Sequence, residues 1–491
     1  MKRKEFPRVT PESVGIPAAA VEKLLDTLEY DGFTEPHGIM IYRHGKVCAE
    51  GWWSPYTAGM KHAQMSHTKT YAGTAVGIAV TEGLVRLDDR LIDIFPDLAP
   101  ETPSEYLKKL KVRDVMCMGA GMPRMPKQEL DWVRAFLANE IVFEPGTRFI
   151  YSTSCELQAA IVRRVSGFGL MDYLKPRLFD KLGIDSNNLF WARQGDGSEF
   201  CSAGLQATTE DNLRLMALYL NKGVWEGERI LSEEFVAQAT TARISTRNPD
   251  DRTPIPENTN PGYGFMLWMC PPEESYRADG LGGQYTVVLP RQDMILSVTE
   301  SSDNPVRTLD AFWEFLKEVR DEPLPENEEA DRKLERRMRR LCLPAEPIAP
   351  DALRREMVNG AEWHMASGSV SFGNTRFDFG FNDGLTDFSF RFFTDHLLFT
   401  FTEDGVTQTV RANTDGSRHW NDVASGAALC SAYWPDDNTL RLVYRPVTGM
   451  FTRKIDFVFS GTGCDITDVG GLNIRLPGTP PAEPIFAYRT K

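Results

Sequence analysis

Ser66-His67-Thr68-Lys69-Thr70-Tyr71-Ala72-Gly73-Thr74-Ala75-Val76-Gly77-Ile78-Ala79-Val80-Thr81-Glu82-Gly83 is the stretch on which the fold turns. Ala72, Ala75, Val76, Ala79 and Val80 recur at helical spacing and stop near Gly83, which predicts a buried helix whose small residues permit close packing. Ser66 and Lys69 stand three residues apart at its mouth, where i and i+3 share a face, so the amine can reach the hydroxyl. A serine hydroxyl is a weak nucleophile and needs a base within hydrogen-bonding reach. A partly desolvated lysine loses pKa and can accept that proton as a neutral amine, and the helix N-terminus favours negative charge near Ser66.

Histidine is the commoner base, but the seven histidines (His37, His44, His62, His67, His364, His396 and His419) leave none between His67 and His364. No G-x-S-x-G elbow occurs either, which disfavours an ordinary α/β-hydrolase triad.

Outward from the helix, His37 to Gly51 alternates around Arg43-His44-Gly45-Lys46 and reads as a hairpin. Further helices are expected at 156–165, 209–221, 232–240 and 309–319, with a strand, turn and strand over 285–300. DEPLPENEEADRKLERRMRR and LPAEPIAP then read as an exposed connector. Beyond it the alternating runs Phe377 to Phe381, Phe388 to Phe392 and Leu398 to Thr402, broken by Asp-Gly pairs at 383, 404 and 415, predict an antiparallel all-β domain. The expected domains are thus residues 1–320 and 351–491, joined by a linker over 321–350. A chain of 491 residues is long for one core. Trp420, Phe399 and Phe401 could line the pocket of a lipocalin-like barrel, although core packing is the default for alternating Phe.

Apolar residues make up 42% and charged residues 25%, a globular balance. The formal net charge of -14 makes nucleic acid and anionic membrane poor partners, and Glu335 interrupts the densest basic segment, Arg332 to Arg340. MKRKEF is followed by Pro7, Pro11, Glu12 and Pro17 rather than an apolar run, so no export signal is expected. No membrane span is expected, and the eight scattered cysteines read as reduced thiols in a cytoplasmic protein. No metal constellation or phosphate-binding glycine loop appears, so no cofactor is expected. The sequence leaves oligomeric state open.

An S-x-x-K spacing alone arises by chance on the order of once in such a chain. Two further elements follow in order: Phe149-Ile150-Tyr151-Ser152-Thr153, then Gly280-Leu281-Gly282-Gly283-Gln284-Tyr285. With EPGTRFIYSTSCELQAAIVRRVSG, SAGLQATTEDNLRLMALYLNKGVWEGERIL and PGYGFMLW, the chain over roughly residues 7 to 320 resembles the penicillin-recognising serine hydrolases. That broad family comprises class C β-lactamases, D-amino-acid peptidases and related esterases. The resemblance implies an α/β (α+β) fold, an antiparallel sheet flanked by helices with a helical subdomain, ahead of the all-β domain. It also implies acylation of Ser66, Lys69 as base, and Tyr151 as proton shuttle to the leaving group. The amides of Ser66 and Gln284 would form the oxyanion hole, with Gly282 and Gly283 letting the backbone approach the substrate.

Two positions depart from the family pattern. Thr153 stands where many relatives carry an Asn that binds a substrate amide, and Leu281 where Lys or His helps hold a carboxylate. Arg291 or Arg148 could restore a cation, but each reads first as a surface or salt-bridge arginine. An esterase or amidase acting on a small, neutral acyl substrate is the resulting expectation. A β-lactamase or D-peptidase, and a sensor that acylates without turnover, are the alternatives.

Overall fold

The computed structural model describes residues 5–123, 131–247, 261–348, 354–372, 384–423, 426–449, 452–470 and 484–491. The chain divides into two compact units, Met1–Leu341 and Cys342–Lys491.

In the first unit, strands Thr34–Arg43 and Lys46–Trp52 are joined through His44 at φ 52° and Gly45 at φ 79°. Two successive left-handed residues give a turn whose twist matches the strands it connects. This hairpin forms one edge of an antiparallel sheet with eight strands among the described residues. The sheet continues through Met294–Ser302, Gln284–Leu289, Tyr276–Gly280, Trp268–Met269, Gly262–Tyr263 and Ile244–Ser245. The last long strand therefore pairs with the first. Helices Ala18–Tyr30 and Val306–Leu316 pack on each other, and Thr209–Leu220 packs on the central strands.

The decisive stretch forms a 3-10 turn, Met65–His67, running into helix Thr68–Thr81. Every residue from Thr68 to Ala79 is buried, as befits a helix with no polar face. Its small residues serve packing: a Cβ on Gly77 would lie 2.3 Å from the Phe235 ring, which rests on the helix backbone. Leu157–Ser166 and Glu233–Ala239 pack against this helix and form where helices are expected.

The expected linker over residues 321–350 differs in the structure. Helix Glu328–Met338 occupies much of it and belongs to the first unit. Asn327 caps it by accepting a bond from the Ala330 amide, acidic residues fill its first turn, and Arg336 and Arg337 fill its last. That order complements the helix dipole. Lys333 pairs with Glu22 at 2.6 Å and Arg337 with Glu29 at 2.5 Å, while Leu334 is buried. One buried apolar residue among many charges gives the sequence a solvated look.

Apart from the short helix Arg355–Val358, the second unit is built of β-strands. Among the described residues its ten strands form one sheet that closes on itself where Asn413 pairs, in parallel, with Ser431. The Asp404-Gly405 pair makes a two-residue hairpin turn with φ 51° and 74°. The run Phe377 to Phe381 lies outside the described residues. Phe399 and Phe401 are fully buried against Phe372, Phe390 and Phe457, so they fill the barrel rather than line a pocket. Trp420, at 43% exposure, lies on the surface. Among the described residues, no helix of the chain is long and apolar enough to cross a membrane.

Candidate active site

Gln64 prepares the position of Ser66. Its fully buried side chain donates to the carbonyls of His62 (2.8 Å) and Ala207 (3.0 Å) and accepts from Asn212 at 2.7 Å. Asn212 in turn accepts from the Tyr71 hydroxyl at 3.0 Å. These bonds tie the segment before Ser66 to strand Leu205–Ala207 and to two helices. Met65 then takes φ 48°, a left-handed conformation unusual for a residue with a side chain, directly before the half-buried Ser66.

One turn on, the Lys69 side chain is only 4% exposed. Its Nζ donates to Ser66 Oγ at 3.0 Å and to the Ser202 carbonyl at 2.5 Å. It also lies 4.8 Å from the centre of the Tyr151 ring. Burial works to lower the Lys69 pKa, but Tyr151, Cys155 and Glu156 outweigh it and hold the group above the ordinary lysine value. The depression expected from burial alone is thus reversed. At neutral pH the resting group is an ammonium that donates to Ser66, and it must lose a proton before it can accept one.

Tyr151 precedes the 3-10 turn Thr153–Glu156, which Ser152 caps by accepting from the Ser154 amide. Its ring is 42% exposed and is backed by Phe149 and Trp268, with Tyr263 behind them. Thr153 is exposed beside it. Cys155 and Glu156 point inward and are buried.

The glycine motif is the turn between strands Tyr276–Gly280 and Gln284–Leu289, and the Ser66 turn packs against both. A Cβ on Gly280 would lie 2.3 Å from the Gln64 carbonyl oxygen, so only glycine lets this strand approach so closely. Gly282 and Gly283 have φ 76° and 94°. A Cβ on Gly283 would lie 1.8 Å from a carboxyl oxygen of Glu300, which is buried beneath the turn and bonded by the Thr308 hydroxyl at 2.8 Å. Burial holds the Glu300 carboxyl well above the usual range. Gln284 starts the inner strand opposite Gly280, and its amide side chain donates to the Glu300 carbonyl at 2.6 Å. Leu281 is half-buried.

Neither considered arginine supplies a free cation here. Arg291 sits at the other end of strand Gln284–Leu289, paired with Glu273 at 2.6 Å. The Arg148 guanidinium lies 4.4 Å from the centre of the Phe143 ring. His67, beside Ser66, is a core residue edge-on to Tyr71, and burial pushes it down to about 3, so it is a neutral imidazole.

The family model described as Beta-lactamase matches residues 37–318, a span that includes Ser66, Lys69, Tyr151 and the glycine turn. The chain belongs to the beta-lactamase family. A curated relative, the 6-aminohexanoate-dimer hydrolase of Paenarthrobacter ureafaciens, is 24% identical over 291 residues, 54% of this chain and 73% of that protein. Among solved structures, a penicillin-binding protein homolog from Caulobacter crescentus is 18% identical and covers 64% of this chain and all of its own, with a TM-score of 0.51. A family VIII carboxylesterase is 16% identical, with the same coverage and a TM-score of 0.50. At such identities the structural likeness is one of fold. The matched span of the beta-lactamase family ends at 318, so the second unit lies outside it.

Sequence reasoning missed three groups of this beta-lactamase-family site. Ser202, which takes the Lys69 proton donor, and Glu156, which holds Ser202, are joined only by long-range bonds. Arg277 and Asp279 pair at 2.8 Å on the strand beside Ser66, the guanidinium 5.8 Å from the centre of the Trp268 ring. Their signal was available: Arg277-Ala278-Asp279-Gly280 alternates charges along a strand that ends in the glycine turn.

Proposed function

We propose that the chain is a serine hydrolase that forms an acyl-enzyme at Ser66 and acts on esters or amides of a neutral acyl group. The observation that carries this reading is the 3.0 Å contact between Lys69 Nζ and Ser66 Oγ at the start of a wholly buried helix. Neutral Lys69 takes the Ser66 proton as Oγ bonds to the substrate carbonyl carbon, and the carbonyl electron pair moves to its oxygen. The amides of Ser66 and Gln284 receive that oxyanion. As it collapses, the bond to the leaving group breaks, and a proton from Lys69, relayed by Tyr151, neutralises the leaving atom. Water then repeats the sequence on the ester. Thr153, Leu281, Gly282 and Gly283 line the path of the substrate.

Leu281 and the engagement of Arg291 by Glu273 argue for a neutral acyl group rather than a penicillin-like anion. The relative named for 6-aminohexanoate-dimer hydrolysis supports an amide as well as an ester. Among the described residues no disulfide joins any of the eight cysteines, which supports a reducing, cytoplasmic location. Steady-state assays on p-nitrophenyl butyrate, the linear 6-aminohexanoate dimer and nitrocefin test the substrate class. Turnover of the ester or amide should exceed that of nitrocefin by about 100-fold in kcat/KM, the scale of a missing charged clamp. Preference for nitrocefin would contradict the assignment.

A further inference from the structure

Glu156 lies one residue beyond Cys155 in the turn that follows Tyr151, and its carboxylate is almost wholly buried. One oxygen accepts from the Cys201 amide at 2.7 Å and from Gln194 Nε2 at 3.2 Å, and the other from the Ser202 amide at 2.9 Å. A group that accepts from three N–H donors acts as a carboxylate. The same Ser202 residue turns its carbonyl to Lys69 Nζ. One peptide segment therefore stands between a buried anion and a buried cation, its amides bonded to the anion and its carbonyl to the cation.

Resting on the reading of Ser66 and Lys69 above, we infer that Glu156 is a positioning residue for Lys69: it fixes the Ser202 carbonyl that holds the ammonium and places a buried carboxylate behind the same peptide segment. The groups facing Lys69 are the Tyr151 phenol, the Cys155 thiol and Glu156. Burial pushes Cys155 up to about 12, so it is a neutral thiol at pH 7. Those facing Glu156 are Lys69 and the thiol of Cys201, which burial keeps neutral. Burial raises the carboxyl's own pKa, opposed by the Cys201 and Ser202 donors and by Lys69. Glu199, the neighbouring buried acid, is engaged elsewhere, by the Leu170 amide at 3.0 Å and by Arg193 at 3.0 Å.

The test is the pH profile of Ser66 phosphonylation by a fluorophosphonate, read by intact mass for wild type, Glu156→Gln, Glu156→Asp and Glu199→Gln. In wild type the rate climbs with pH as the Lys69 ammonium deprotonates. Removing the anion makes the ammonium less stable, so the Glu156→Gln limb should move to lower pH by about one unit. Its high-pH rate should fall at least about tenfold as the Ser202 carbonyl loosens. Glu156→Asp keeps the charge but cannot span both amides: its limb should stay with wild type and its maximal rate should fall. Glu199→Gln should superpose on wild type. A folded Glu156→Gln whose limb coincides with wild type would overturn the inference, as would a Glu156→Asp limb that moves with it. Should Glu156→Gln not fold, a Glu156→Asp maximal rate equal to wild type overturns it. Absence of wild-type labelling would instead remove the reading of Ser66 on which it rests.

Discussion

Lys69→Ala should lower kcat/KM toward an activated ester by about 100- to 10,000-fold, the span of a lost general acid–base. The nearest groups cannot replace it. His67 is a neutral core imidazole with its edge on Tyr71, and Glu156 is occupied by backbone amides. The truncation also leaves the Ser202 carbonyl without its donor, at a cost of about 1–3 kcal/mol for a buried polar group. Lys69→Met fills similar volume without the amine, so it separates packing from chemistry. Both variants should lose activity together while their circular dichroism spectra match wild type. Activity within tenfold of wild type in folded Lys69→Met would show that another group accepts the Ser66 proton.

Gly283→Ala should be the most damaging single methyl in the site. The position has φ 94°, and the new Cβ would stand 1.8 Å from the buried Glu300 carboxyl. Left-handed strain and overpacking each cost of order 1–3 kcal/mol, so about 2–6 kcal/mol together. For a unit of this size that corresponds to a Tm lower by roughly 3–8 °C. Gly197→Ala is the control: its φ is 81° but nothing lies within 4 Å of the added Cβ, so it isolates the backbone cost of about 1–2 kcal/mol. In a Glu300→Ala background the Gly283→Ala penalty should shrink by at least about 1 kcal/mol, a coupling expected of residues in contact. Equal penalties in both backgrounds would mean that the turn yields without meeting Glu300.

The contrast between these two sites shows what a sequence can disclose. Ser66 and Lys69 are legible because the geometry joining them is local: three residues on one helical face. The hairpins at His44-Gly45 and Asp404-Gly405 are legible for the same reason, since their turn type demands those residues. Glu156 is different. Its partners lie 45 and 46 residues on, reached by bonds from a side chain to backbone amides that leave no periodic trace. The direction of the Lys69 shift also depends on that clustering, and burial alone predicts the wrong sign. Glu300 under Gly283 follows the same logic: the sequence reports that a glycine is present, and only the fold reports what would collide with anything larger. Helix Glu328–Met338 fails for a further reason, because its docking rests on ion pairs to Glu22 and Glu29 and a single buried leucine, a pattern shared with solvated connectors.

The most direct test of the central claim is intact-protein mass after exposure to a fluorophosphonate probe, for wild type, Ser66→Ala and Lys69→Ala. A single adduct on wild type, absent from Ser66→Ala and formed at least about 100-fold more slowly in Lys69→Ala, is the predicted result. No adduct on folded wild type, or an undiminished adduct on Ser66→Ala, would contradict the assignment of Ser66 as nucleophile.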